Sequence, residues 1–140
     1  MVDTRPRSNG GDLRIFFEPE SVAIVGASRT PGKIGNNILR NILNIGYRGQ
    51  IYPVNPKGGE LDGMTVYRFL ADLPQQPEVV DLVVPPAVTE QVVKEIKGLG
   101  LTRVWMQPGS ESEAAIAYCQ EQGIEVVHGA CAMALRRHWN

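Results

Sequence analysis

Short runs of apolar, mostly β-branched residues alternate along the chain with longer stretches in which apolar residues recur every three or four positions. The short runs predict buried strands, and the longer stretches predict amphipathic helices that pack against them. Because strands that alternate with helices pair mainly in parallel, the pattern predicts an α/β fold with a five-stranded sheet. The predicted strands are Val22–Val25, Gln50–Val54, Val79–Val84, Arg103–Gln107 and Ile124–Val127.

Helical patterns follow the first, third and fourth predicted strands. An apolar stripe over residues 34–45 predicts the first helix, which ends at Gly46. Pro86 suits the first turn of the second helix, since proline lacks the N–H that would be unpaired there. Ser110 and Glu113 have the spacing of a capping box and predict the start of the third helix.

The connection between the second and third predicted strands, residues 58–76, is less regular and predicts only a short helix around 68–73. Right-handed crossovers then suggest the strand order 3-2-1-4-5, counted along the chain, in a mainly parallel, Rossmann-like three-layer fold. In such a sheet all the strands end at one edge, where we expect ligand contacts to collect. The loops at that edge are 26–35, 55–57, 85–86, 107–109 and 128–131.

Composition narrows the functional class. With 140 residues, the chain suits one domain over residues 13–140, preceded by a flexible arm at 1–12. A net charge of -1 offers no broad positive surface for nucleic acid. The first twelve residues contain no apolar run that could act as a signal or span a bilayer, so we expect a cytoplasmic protein without membrane contact. Cys119 and Cys131 lack paired spacing, which favours reduced thiols over a disulfide or a structural metal.

The first predicted strand runs into a glycine-containing turn, VGASRTPGKIG. Gly26 lets the chain leave the strand, and Ser28 and Thr30 offer hydroxyls beside the free amides of the next helix, which suits a phosphate. A dinucleotide fingerprint counted from Gly26 would require glycines at positions 28 and 31, where this chain has Ser28 and Pro31. The turn therefore differs from that of an NAD site.

The second predicted strand ends in Asn55-Pro56-Lys57, where an NAD site would place an acidic residue for the ribose hydroxyls. A lysine there favours a phosphorylated ribose. Coenzyme A carries a 3′-phosphate and NADP a 2′-phosphate, so these residues alone leave both ligands open. A glycine turn that serves only the packing of helix on sheet is the alternative without a ligand.

Two stretches carry a resemblance to a known family, FFEPESVAIVGASRTPGKIGNNILRNIL and GQIYPVNPKGGELDG. They resemble the N-terminal CoA-binding domain of ADP-forming acyl-CoA synthetases, which is related to the succinyl-CoA ligase alpha subunit. The later stretch VWMQPGSESEAAIAYCQEQGIEVVHGAC is more similar to small stand-alone CoA-binding proteins. The resemblance covers about residues 16–131 and implies CoA or an acyl-CoA as the ligand.

Carried over by position, the resemblance implies that residues 28–31 hold the CoA diphosphate, that Lys57 meets the phosphorylated ADP end and that residues 106–107 border the pantetheine path. Cys131 follows the last predicted strand closely, so it either approaches the CoA thiol or is a small buried thiol. The residues expected at the ligand are Gly26, Ala27, Ser28, Arg29, Thr30, Pro31, Asn55, Lys57, Pro85, Met106, Gln107 and Cys131.

The chain also departs from the larger enzymes. They transfer phosphoryl groups with a histidine on a following domain and an ATP-grasp module, and their GPNC motif is replaced here by HGAC at 128–131. We therefore expect binding of CoA or an acyl-CoA without chemistry of its own and without catalytic residues. A CoA-binding subunit of an ADP-forming acyl-CoA ligase and an NADP-binding module stay open as alternatives, with a homodimer or a ligase subunit as the partner.

Other residues with suggestive chemistry have simpler interpretations. His128 could be a general base, but no Ser or Cys partner is set by spacing, so a solvated or core-edge histidine is preferred. Glu111 and Glu113 are expected to serve helix capping and the helix dipole. Trp105 and Met106 are expected in the core because they lie in a predicted strand.

Overall fold

A computed structural model of the chain describes residues 7–8, 16, 19–28, 30–44 and 46–129. The strands are β1 Arg7–Ser8, β2 Ser21–Val25, β3 Gln50–Val54, β4 Glu60–Leu61, β5 Met64–Thr65, β6 Val79–Leu82, β7 Arg103–Met106 and β8 Glu125–His128. The helices are α1 Ile34–Asn44, α2 Pro86–Gly98 and α3 Glu113–Glu121, with a 3₁₀ helix at Leu70–Asp72. All five predicted strands are therefore present, with their ends shifted by at most two residues.

The main sheet has the order β1-β8-β7-β6-β2-β3 within the described residues. Its pairs are parallel except for β1, which runs antiparallel to β8 and was not predicted as a strand. Numbered as the five predicted strands, the order is 2-1-3-4-5. The mainly parallel α/β fold is confirmed, but the predicted order 3-2-1-4-5 is wrong, because β6 lies beside β2 on the side away from β3.

Pro53 explains why β3 lies at the edge. Its carbonyl accepts a hydrogen bond from the Tyr67 N–H at 2.9 Å, so the peptide groups of Pro53 face away from β2. A proline has no N–H for a further strand on that side and is found in edge strands rather than central ones. The predicted order had placed this strand in the interior of the sheet.

Alternate residues of β2 face opposite sides of the sheet. Val22 and Ile24 belong to the hydrophobic layer under α1, while Ala23 and Val25 belong to the layer under α2 and α3. Helices therefore cover both faces, as the three-layer prediction requires. Trp105 is fully buried, as predicted. In the described part of the chain, none of the helices combines the length and the apolar content needed to cross a membrane.

The residues predicted at the start of α2 are the ones observed there, whereas those predicted at the start of α3 differ from the structure. Pro86 occupies the first turn of α2. The cap of α3 is Ser112, whose hydroxyl accepts from the Ala115 N–H at 3.2 Å, so the predicted capping box of Ser110 is wrong. Ser110 instead accepts a hydrogen bond from the Val84 N–H at 2.9 Å and ties the loop after β7 to the loop after β6.

Candidate functional site

Gly26 is the point at which the chain leaves β2. It has φ of 98°, and its N–H donates to the Val54 carbonyl at 2.9 Å. A Cβ on Gly26 would lie 2.2 Å from the Val83 carbonyl oxygen, so only glycine lets the turn press against the end of β6. A Cβ on Gly35 would lie 2.0 Å from the Gly26 carbonyl oxygen. The two glycines thus bring the first turn of α1 directly against the end of β2.

Two asparagine side chains hold the turn that follows Gly26. The Asn55 amide donates to the Ala27 carbonyl at 2.9 Å, and the Asn36 amide donates to the Ser28 carbonyl at 2.8 Å. The Ser28 hydroxyl accepts from the Thr30 N–H at 3.1 Å. Asn36 is not among the predicted site residues, although an asparagine on the buried face of an amphipathic helix indicates a polar role.

Asn55 also shapes the loop after β3. Its side-chain oxygen accepts from the Lys57 N–H at 2.9 Å, and its carbonyl accepts from the Gly58 N–H at 2.9 Å. This tight turn brings Lys57 next to Ser28 and Thr30. A cavity of about 110 Å³ lies between the two loops, bordered by Ala27, Ser28, Thr30, Asn55, Lys57, Gly58, Leu61 and Val66.

Positive charge surrounds the turn. Within the described part of the chain, Lys33, Lys57 and Arg68 have no carboxylate partner, whereas Arg40 pairs with Asp62 at 2.8 Å. Arg68 packs over Gly58, since its Nε lies 3.0 Å from the place where a Cβ of Gly58 would be. The site therefore offers unpaired cations to an anion. Arg68 was not among the predicted residues, because it lies in the irregular segment that follows the β4–β5 hairpin.

A second cavity, of about 400 Å³, lies between the loop after β3 and helix α2. Phe69 and Val88 stand on its walls and are 56% and 38% exposed, which is unusual for large apolar side chains in this fold. Arg68 also borders this cavity. An exposed aromatic ring beside an arginine suits a flat, heteroaromatic ligand that can stack on both. Neither Phe69 nor Val88 is a predicted site residue.

A third cavity, of about 480 Å³, begins at the Gly26 turn and runs past the loops after β6 and β7. Its walls are mainly apolar, and Ile34 at its border is 51% exposed. Its lining residues are Gly26, Ser28, Lys33, Ile34, Gly35, Val83, Val84, Pro85, Pro86, Pro108, Gly109 and Ser110. We call this cavity the apolar groove.

The predicted site residues thus fall into three groups. The structure brings together Gly26, Ala27, Ser28, Thr30, Asn55, Lys57 and Pro85, each of which lines at least one of these three cavities. Pro31 is exposed and lines none of the three, while Met106 and Gln107 are fully buried and line none of them either. Arg29 and Cys131 lie outside the described residues.

At the far end of the same edge, the loops after β7 and β8 meet through Glu111. Its carboxylate accepts from the Gly129 N–H at 3.0 Å and lies 3.4 Å from Nδ1 of His128. Glu113 lies in the first turn of α3, as predicted. Glu111 lies before the cap and joins two loops, so its predicted role in the helix start is wrong.

Asp81 and Cys119 are buried titratable groups that lie away from this edge. Burial raises the pKa of Asp81, in the middle of β6, to about 8. Within the described residues its carboxylate oxygens have no hydrogen-bond partner. Burial raises the pKa of Cys119, in α3, to about 11, so this thiol stays protonated and unreactive near neutral pH.

Comparisons with known proteins point to one family. A family model described as a CoA binding domain matches residues 20–137. Over 87 residues the chain is 42% identical to the alpha subunit of the ADP-forming acetate–CoA ligase I of Pyrococcus furiosus, which covers 59% of this chain and 19% of that subunit. The chain therefore spans less than a fifth of the length of the curated ligases that it matches first.

Solved structures share the fold of this chain. A hypothetical protein from Pyrococcus horikoshii OT3 is 31% identical with a TM-score of 0.81, and the match covers 98% of this chain and 97% of that one. The dinucleotide forming acetyl-coenzyme A synthetase 1 of Ca. Korarchaeum cryptofilum, solved with phosphate and ADP, is 32% identical with a TM-score of 0.71, over 82% of this chain and 26% of that one. Since the family model matches nearly the whole chain, the protein belongs to the CoA binding domain family.

Proposed function

We propose that the protein holds CoA or an acyl-CoA across the carboxyl edge of its sheet, and that it carries out no acyl or phosphoryl transfer of its own. One observation carries the proposal: the three cavities share the residues of the Gly26 turn. Ser28 borders the small cavity and the apolar groove, while Gly26 borders the groove and the cavity at Phe69. A single ligand lying on this turn can therefore enter all three.

The phosphates of CoA would lie at what we call the phosphate end, formed by Ala27, Ser28, Thr30, Asn55 and Lys57. The start of α1 supplies N–H groups without partners in the helix, and a helix N-terminus favours anions. Lys57 adds a charge that has no carboxylate partner within the described residues. These features together suit a diphosphate and a phosphorylated ribose.

The adenine would lie in the cavity beside Phe69 and Arg68. A ring of this kind buries its faces against an aromatic side chain and a guanidinium plane. Placing it there also places the ribose phosphate near the loop after β3, which carries Lys57. We infer that Arg68 and Phe69 belong to the binding site, although neither lies in a recognisable motif.

The pantetheine arm would follow the apolar groove. Pro85, Pro86 and Pro108 border the groove and carry no N–H, so they offer little hydrogen bonding to the second ribose and carboxamide of NADP. A flexible, mostly apolar arm suits such a surface better. This difference supports CoA over the NADP alternative, and the mass of a ligand retained by freshly purified protein distinguishes the two.

Removal of Lys57 tests the proposal directly. We expect Lys57→Ala to weaken CoA binding by about ten- to 150-fold, because a charge-assisted contact is worth about 1.5–3 kcal/mol. Isothermal titration calorimetry with CoA and dephospho-CoA measures this, and the variant should lose the preference for CoA. Lys94→Ala is the matched control, since Lys94 is exposed on α2 and lines none of the three cavities. Equal affinity of the wild-type protein for both ligands would remove Lys57 from the site.

The absence of transfer chemistry is tested by activity of the protein alone. Phosphoryl transfer requires a nucleotide and metal clamp and a positioned acceptor, and the chain has no GxxxxGK[ST] loop. We expect no ATP- or ADP-dependent formation or hydrolysis of acyl-CoA by the purified chain. Steady turnover without another protein contradicts the proposal.

Association with a ligase subunit is the second candidate, supported by the identity to the alpha subunit of an acetate–CoA ligase. Turnover that starts only when a second chain is added would favour it. A homodimer and a cytoplasmic location stay predictions from the sequence.

A further inference from the structure

Glu111 and His128 form a pair at the end of the carboxyl edge farthest from Lys57. The Glu111 carboxylate lies 3.4 Å from Nδ1 of His128, and the side chains are 34% and 20% exposed. The Gly129 N–H donates to the same carboxylate oxygen at 3.0 Å, so the carboxylate is held in place by the backbone. A carboxylate facing Nδ1 favours the tautomer with its proton there, which leaves the lone pair on Nε2.

The pair follows directly on a residue of the apolar groove. Ser110, the residue before Glu111, lines the groove, and its hydroxyl accepts from the N–H of Val84, which also lines it. His128 is the last residue of β8, and β8 pairs with β7. The loop after β7, which borders the groove through Pro108, Gly109 and Ser110, therefore also carries Glu111. We call Ser110, Glu111 and His128 the thiol end.

The length of the ligand matches the separation of the two ends. The sheet order places β6 and β7 between β2 and β8, so the ends of β2 and β8 are three strand spacings, or about 14 Å, apart. Between the diphosphate and the sulfur, the pantetheine arm has about twelve bonds, the length of about four residues, which extends over roughly 14 Å. A CoA whose phosphates lie at the Gly26 turn can place its thiol at the end of β8.

We propose that Nε2 of His128 accepts the proton of the CoA thiol, with Glu111 as the positioning residue. This inference rests on the proposed function and adds a role for the bound CoA. The S–H bond breaks as the N–H bond forms, which leaves a thiolate and an imidazolium that faces the Glu111 carboxylate. The thiolate is the form that attacks an electrophile, so the protein would present CoA ready to receive an activated acyl group from another protein.

The test measures alkylation of bound CoA by iodoacetamide. The full chain is kept in excess over CoA, so that nearly all of the CoA is bound. Carbamidomethyl-CoA is separated and quantified by mass, so protein cysteines do not contribute to the signal. We expect His128→Asn to lower the rate of alkylation by at least about tenfold. A general base typically accelerates a reaction by about 10²–10⁴-fold, so a decrease of this size lies at or below the usual range. Asparagine keeps an N–H donor toward Glu111 and lacks Nε2. Calorimetry with 3′-phospho-ADP, which lacks the pantetheine arm, should show unchanged affinity, which also verifies that the variant is folded.

Two glutamate variants separate positioning from structure. Glu111→Gln keeps an oxygen that can accept from the Gly129 N–H but loses the charge, and we expect a rate between those of the wild type and His128→Asn. Glu113→Gln, in the first turn of α3, should leave the rate unchanged. A wild-type rate in Glu111→Gln would overturn the role of Glu111, because a merely structural residue needs only the retained hydrogen bond.

Different experimental results would overturn the inference and the proposed function. Unchanged alkylation in His128→Asn, with CoA still bound, overturns the inference alone. Failure of the wild-type protein to bind CoA in calorimetry overturns the proposed function and the inference together.

Discussion

The phosphate end and the thiol end of the carboxyl edge are built in different ways. At the phosphate end, Asn55 fixes its own loop through the Lys57 N–H and fixes the Gly26 turn through the Ala27 carbonyl. At the thiol end, Ser110 and Glu111 of one loop reach across to Val84 and Gly129 of two others. The phosphate end therefore consists of two local turns that the Asn55 side chain connects. The thiol end forms only where the loops after β6, β7 and β8 come together.

This difference decides how each end responds to substitution. We propose that a residue of the phosphate end both stabilises its own turn and helps to bind the charged phosphates. Its substitution should therefore lower the stability of the protein and its affinity for the ligand together. A residue of the thiol end contacts neighbouring loops, and we propose that it meets only the pantetheine arm of the ligand. Affinity for the nucleotide portion alone should therefore survive its substitution. For a substitution at either end, the change in affinity for CoA can therefore be compared with the change in affinity for 3′-phospho-ADP, which lacks the pantetheine arm.

The largest expected effect is on the stability of the protein and comes from Asp81, which lies outside both ends. A substitution there should change stability without changing the binding of CoA. Burial raises the folded-state pKa of Asp81 from 3.8 to about 8. The folded protein then keeps a proton that the unfolded chain loses above its own lower pKa, so stability falls as the pH rises between these values. Between pH 5 and pH 7 the loss should be about 3 kcal/mol, at 1.36 kcal/mol per unit.

Asp81→Asn should remove this slope, as measured by denaturant unfolding at pH 5, 6 and 7. Asp72→Asn, at an exposed position of the 3₁₀ helix, should keep it. CoA affinity should be the same in both variants, because Asp81 lines none of the three cavities. An identical slope in the wild type and in Asp81→Asn would show that Asp81 does not ionise on unfolding in this range.

Asn55→Ala tests the phosphate end. It removes the hydrogen bonds to the Ala27 carbonyl and from the Lys57 N–H, both of 2.9 Å. Two such bonds at a partly buried site correspond to about 2 kcal/mol of unfolding free energy. Affinity for CoA and for 3′-phospho-ADP should fall equally, which calorimetry measures. Asn37→Ala, exposed on α1, serves as the control, and a loss confined to CoA would contradict the assignment of this end to phosphates.

Ser110→Ala tests the thiol end and should have the smallest effect. The Val84 N–H loses its acceptor, at a cost of about 1 kcal/mol. CoA should bind more weakly while 3′-phospho-ADP binds as before. Ser112→Ala removes the cap of α3 at a similar cost of about 1 kcal/mol but leaves the groove intact, so its CoA affinity should not change. Equal weakening of both ligands by Ser110→Ala would mean that the two ends are not independent.

Several features were predictable from the sequence because they depend on neighbours along the chain. The period of apolar residues located the strands and helices, and the Gly26 turn followed from the residues between β2 and α1. The predicted strand order was wrong, although Pro53 indicates that β3 lies at the edge, because proline lacks the N–H that a central strand would use. Ser112 replaced Ser110 as the cap because Ser110 is engaged by Val84, across 26 residues of chain.

The sequence by itself determined the fold class and indicated the residues of the proposed phosphate end, which lie in the two short motifs that carry the resemblance to CoA-binding domains. Only the tertiary structure decided the position of β3 at the edge, the walls at Arg68 and Phe69, and the pairing of Glu111 with His128. The physical reason is range: turns and helix starts are stabilised by bonds within a few residues, whereas these contacts form between segments that meet only when the sheet assembles. A local sequence pattern does not predict which loops come into contact in the folded protein.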